Sequence, residues 1–162
     1  MIEEFCDWLS ATSISVAFQS AGWFVPIIQT IHIIAISIFL ISVYLISFRL
    51  IGLTRFRSPV AMITARSAPW IWGALSVLLA TGVLLTVTEP ARELLNWVFR
   101  AKMVLVLLLA GLLLVVQRSL SGNPLYWDES PARQLAARSA GIAALMIGAG
   151  IVTAGRWIAY VQ

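Results

Sequence analysis

His32 is the only histidine in a chain of 162 residues, and it stands where an ionisable ring is costly. It lies within Trp23–Phe48, a run without one Lys, Arg, Asp or Glu. From Trp23 to His32 is about 13 Å of helix rise, which sets the imidazole well inside the hydrocarbon of a bilayer. A ring at that depth must face protein and find a partner, which makes it a functional candidate. Gln29 falls one turn earlier on the same helix face and could hold one ring nitrogen. Arg100 and Lys102 open another apolar run, and Arg156 closes the last one. A neutral imidazole among apolar side chains, with cations nearer the surface, suits a haem. The porphyrin wants apolar packing, the iron wants imidazole, and the propionates want Arg or Lys. His32 is then the expected metal ligand, and Gln29, Lys102, Arg156 and Arg100 the rest of a cofactor-binding set for haem b. A quinone headgroup or another anion would also suit such a rim.

The same residues have plainer roles. Arg100 and Lys102 are near enough to a helix end to snorkel, the favoured reading for Arg100. Arg156 could pair with Glu89 or Glu93, and His32 could do no more than bond a neighbouring helix. Trp23, Trp70, Trp72, Trp97 and Trp157 fit interfacial belts. A lone histidine excludes bis-imidazole ligation within one chain. The iron would be five-coordinate, take Met103 or a deprotonated Lys102, or sit between two subunits. Copper passage favours several soft ligands, and Met62, Met103 and Met146 are scattered. The single cysteine, Cys6, excludes an intrachain disulfide and a multi-cysteine metal site. No catalytic triad, phosphate loop, zinc spacing or nucleic-acid module is present.

The elements that must position this set are membrane helices. Of the residues, 60% are apolar and 11% charged, with a mean hydropathy of +0.94, whereas soluble domains carry about 25% charged residues. The chain is expected to be one all-α membrane domain, residues 1–162, a four-transmembrane-helix bundle with an N-terminal interfacial amphipathic helix. That first helix is expected over 2–20, with Ile2, Phe5, Leu9 and Val16 at loosely helical spacing among Glu3, Glu4 and Asp7. Cys6 is expected to be a partly buried small residue within it. The start MIEEFCDWLS, with three acids and no base, is not expected to act as a signal peptide. The spans are expected over 23–48, 70–88, 97–117 and 139–160. Ala137, Gly141, Ala144, Gly148 and Ala149 supply small residues for close helix approach.

The net charge of +4 needs no polyanionic partner. Arg49, Arg55, Arg57 and Arg66 follow the first span, and Arg118, Arg133 and Arg138 follow the third, so these bases gather on one side. By the positive-inside rule both termini face away from the cytoplasm, as in a bacterial inner-membrane protein. His32, Lys102 and Arg156 then fall in the same half of the bilayer.

The runs PIIQTIHIIAISIFLISVYLISFRLIGL, NWVFRAKMVLVLLLAG and AGRWIAY together resemble an uncharacterised bacterial family of short four-helix membrane proteins, over nearly the whole chain. More distantly, the early-helix His and the F-x-x-K ending at Lys102 resemble a group containing CopD-type membrane domains and the haem-binding membrane protoporphyrinogen oxidase. That resemblance implies a haem role for His32 and an important one for Lys102. The expected function is a haem-b protein that takes part in electron transfer with a partner protein or a quinone. The alternatives are a cofactor-free anchoring or assembly subunit of a membrane oxidoreductase, and a protoporphyrinogen-oxidase-like enzyme. The bilayer is the expected surrounding, and a homo-oligomer or a subunit of a larger membrane complex the expected assembly.

Overall fold

The structure is a computed structural model that describes residues 1–53, 59–158 and 160; Arg55 and Arg57, used above for orientation, lie outside the described residues. Among the described residues seven helices follow in order: α1 Ile2–Ser10, α2 Ser13–Ser20, α3 Phe24–Ile51, α4 Val60–Thr88, α5 Pro90–Leu94, α6 Trp97–Gly122 and α7 Pro131–Trp157. The four longest are long and apolar enough to cross a bilayer.

Local chemistry sets the ends. The expected helix over 2–20 is two helices, because extended Thr12 breaks it and its hydroxyl caps α2 by accepting from the Ser15 N–H. Gly52 ends α3 in the left-handed region at φ 84°, and Gly52 and Leu53 return their N–H groups to the Arg49 and Phe48 carbonyls at 3.1 and 3.0 Å. Asn96 caps α6, accepting from the Val98 N–H at 2.9 Å. Ser130 caps α7 ahead of Pro131. All four long helices outrun at one end the spans expected of them, and α3 continues to Ile51, past Phe48. α4 starts at Val60 rather than Trp70 and takes in Arg66 and Pro69, and α7 starts at Pro131 rather than near Ser139. α6 continues to Gly122, past Gln117 and Arg118. Hydropathy marks only the part that needs lipid, while the backbone stays helical beyond it.

Helix α3 is central, packed against both α4 and α7, while α6 packs mainly on α7. Phe39, Val43 and Ile46 of α3 meet Ile71 of α4, Leu109 and Val116 of α6, and Ile151 of α7 in the core. α4 and α6 are tied by the Trp72 indole N–H, which donates to Gln117 Oε1 at 3.0 Å.

Small residues decide how closely α3 and α7 approach. A Cβ at Gly141 would lie 2.8 Å from the Ser47 carbonyl oxygen, and one at Gly148 would lie 2.9 Å from Tyr44 Cε1. In lipid such close contact is what holds helices together, since burial against a neighbour gains nothing over burial against acyl chains. Ala137, Gly141, Ala144 and Gly148 are buried at this seam as expected, but Ala149 is exposed.

Helices α1, α2 and α5 gather at the end where α3 begins and α7 ends. Ser15 Oγ donates to the Val87 carbonyl at 2.7 Å and Gln19 Nε2 to that of Thr88 at 3.0 Å. Cys6 and Ser15 turn inward and are buried, while Ile2, Phe5 and Trp8 face outward. We call this the α5 end, and the other the Arg49 end.

Candidate functional site

Gly141, Gly148 and Gly155 recur every seven residues, about two turns, along one face of α7. The first two are pressed against α3. The third is not: the nearest atoms to a Cβ at Gly155 are Lys102 Nζ at 3.7 Å and Lys102 Cε at 3.8 Å. Beyond Gly148 the two helices part, and the lysine of α6 reaches into the opening.

That opening is a cavity of about 530 Å³ at the α5 end. Ile33, Ile36, Leu40, Leu85 and Ile151 give it apolar walls, and Gln29, His32, Glu93, Lys102 and Arg156 are among its polar members. Thr88, Glu89 and Arg92 line both this cavity and an outer pocket that contains Cys6, Asp7, Ser10 and Gln19.

His32 is held from α4. Its Nδ1 lies 2.7 Å from Thr81 Oγ1, and Thr81 Oγ1 lies 2.7 Å from the Val77 carbonyl. The hydroxyl has one hydrogen. With that hydrogen given to Val77, the ring donates its Nδ1–H to Thr81, and the lone pair is left on Nε2. Nε2 makes no hydrogen bond among the described residues. Gly82 leaves room beside the ring, a Cβ there lying 3.8 Å from His32 Cε1. The expected partner, Gln29, is exposed and makes no bond to His32.

The charges form a sequence from the cavity to its mouth. Lys102 is within electrostatic reach of both His32 and Glu93. Burial holds the Glu93 carboxyl above its ordinary value of 4.5, helped by Glu89 and opposed by Lys102 and Arg92. Glu89 pairs with Arg92 at 2.6 Å. Arg156 therefore has neither expected acid partner at ion-pair distance, and its guanidinium lies 5.5 Å from the Tyr160 ring centroid instead.

Of the residues singled out in the sequence, Gln29, His32, Lys102 and Arg156 line one cavity, while Arg100 does not. Two positions before Lys102, Arg100 is about 200° round the helix and exposed, in keeping with snorkelling. Met103 does not line the cavity either, so it is not placed as a second ligand. Thr81 has no place in the sequence reading of the site, and Glu93 enters it only as a possible partner of Arg156. The signal for Thr81 was arithmetic: it stands seven residues from the end of α4, and His32 eight from the start of its antiparallel neighbour α3. Among the described residues no group of three or more His, Cys, Asp or Glu side chains could hold a metal ion, so any metal must bring most of its own ligands.

Fold and cavity together define a small all-helical membrane protein with a polar-mouthed chamber inside its bundle. The chain belongs to a family of unknown function, DUF6644, whose model matches residues 5–161. No curated protein and no solved structure matches it.

Proposed function

We propose that the chain is a haem-b-binding membrane protein that passes electrons to or from a partner protein or a quinone. The observation that carries this reading is the His32–Thr81 bond, which leaves the Nε2 lone pair unused in a cavity lined by Arg92, Lys102 and Arg156 together with Glu89 and Glu93. The residues fit the group. A cavity of about 530 Å³ is of a size that takes a drug-sized ligand. Ile33, Ile36, Leu40, Leu85 and Ile151 supply apolar walls for a planar ring, and Lys102 and Arg156 supply cations for its carboxylates. Bound there, a haem would supply reversible one-electron chemistry at its iron. The protein's part is to orient the imidazole through Thr81, to exclude water with apolar walls, and to balance charge through Lys102 and Glu93. A haem role for His32 and Lys102 is also what their distant resemblance to the membrane protoporphyrinogen oxidase implies, and the positive-inside rule would put this end on the outer side of a bacterial inner membrane. The reduced-minus-oxidised absorption spectrum of the purified protein tests it. A Soret band that His32→Ala abolishes is expected; no band, or one unchanged by that substitution, overturns it.

A second reading has its own observation. An apolar groove of about 730 Å³ runs along α3 and α4, lined by Ile31, Ile34, Ile38, Trp70, Gly73 and Val77 among others. It would suit a helix of a larger membrane oxidoreductase anchored by this chain. In that case His32→Ala leaves assembly and activity of the complex unchanged, while bulky residues at Gly73 disrupt both.

A further inference from the structure

A smaller pocket at the Arg49 end owes nothing to the cavity above. It holds about 200 Å³, between the end of α3, the start of α4, the loop before α7 and the first turns of α7. Trp127 lines it, is 8% exposed, and keeps its indole Nε1–H without a hydrogen-bond partner among the described residues. An indole nitrogen can only donate. A buried donor left unmade is unfavourable, and an acceptor seated in the pocket that Trp127 lines would relieve it.

The surroundings say what kind of acceptor. Arg49 from α3 and Arg138 from α7 both line the pocket, with Asp128 and Gln134. The tight contact of Gly141 with Leu50 and Ile51 fixes α7 against α3 within one turn of both arginines. Trp127 is set by the loop. The Leu125 N–H bonds Asn123 Oδ1 at 3.0 Å, the Asp128 N–H bonds the Leu125 carbonyl at 2.8 Å, and the Tyr126 ring meets the indole edge-on with centroids 5.0 Å apart.

We propose that this pocket binds the phosphodiester headgroup of an anionic phospholipid. Among the described lining residues two guanidinium groups stand against one carboxylate, an excess of positive charge that suits an anionic phosphodiester. The indole N–H and the arginines are all donors to phosphate oxygens. The pocket lies at the last turn of a membrane-spanning helix, at headgroup depth, where basic pockets between helices meet anionic lipid. Its volume suits a headgroup and is below that of drug-sized ligand sites.

The test is a thermal-unfolding titration of the protein in neutral detergent with phosphatidylglycerol, phosphatidylcholine and inorganic phosphate in separate arms. Phosphatidylglycerol is expected to raise Tm saturably and the other two to leave it unchanged. Arg138→Gln and Trp127→Phe should each raise the half-saturating lipid concentration about tenfold. Arg118→Gln removes the same charge at the same end, outside the pocket, and should not. Equal shifts with the two lipids, or equal effects of Arg138→Gln and Arg118→Gln, would reduce the effect to general attraction and overturn the site. A shift with phosphate alone would overturn the lipid assignment. If Trp127→Phe fails to fold, the comparison of Arg138→Gln with Arg118→Gln decides.

Discussion

The ammonium of Lys102 lies 3.7 Å from where Gly155 would carry its Cβ, so the charge of α6 occupies the space where the α3–α7 seam would otherwise continue. One lysine thus separates a close-packed half of the bundle from a hollow half.

This division predicts a graded alanine series along α7. Gly141→Ala drives a Cβ to 2.8 Å from the Ser47 backbone carbonyl, which cannot step aside, and should destabilise by about 1–3 kcal/mol. Gly148→Ala presses on the Tyr44 side chain, which can shift, and should cost less. Gly155→Ala makes only ordinary contact and should be neutral or gain a few tenths of a kcal/mol from helix propensity. Thermal unfolding in one detergent would order the three, and equal effects would deny the seam.

Thr81→Val keeps the shape of the residue and removes the oxygen that holds His32 Nδ1. A loss of about 0.6–1.7 kcal/mol in stability is expected, the range of interhelical hydrogen bonds in membranes. If His32 ligates a metal, affinity for it should also fall about 10–100-fold, as when an outer partner of a metal-binding histidine is removed. Titrating the purified apoprotein with haemin would measure this, and unchanged affinity would refute the orienting role.

Glu93 should give stability a pH slope. Its folded value lies above the ordinary 4.5 because burial disfavours the carboxylate. Between those two values the folded chain binds more protons than the unfolded chain, so stability falls as pH rises and the penalty is complete above the folded value. Glu93→Gln should flatten that part of the profile. It should be at least as stable as the parent near pH 8, with the difference vanishing by about pH 4. An unchanged slope in the variant would assign it to other groups.

Trp72→Phe removes the bond to Gln117 that ties α4 to α6. A cost near 1 kcal/mol is expected, since the amide keeps no other partner for its Oε1 among the described residues. Replacing Gln117 by Leu as well should recover part of it, because a buried pair removed together leaves nothing unsatisfied. A double-mutant cycle with no coupling between the two positions would show the bond to be inert.

Much of this was legible without coordinates. Hydropathy runs fix the number of spans, and helix rise fixes depth, so composition and spacing alone lead one to expect His32, Lys102 and Arg156 in the same half of the bilayer. Depth is a local property, counted along one helix. Which way a side chain points around its helix, and how near the next helix comes, is not. Packing turned Arg100 out of the cavity while Lys102, two residues on, entered it. Packing also made Thr81 rather than Gln29 the partner of His32, and opened a chamber where the glycine seam ends. Trp127 shows the same limit at the Arg49 end. Its loop reads as irregular in the sequence, and only the folded chain brings it to one pocket with arginines from α3 and α7, because that juxtaposition depends on helices far apart in the chain meeting at Gly141.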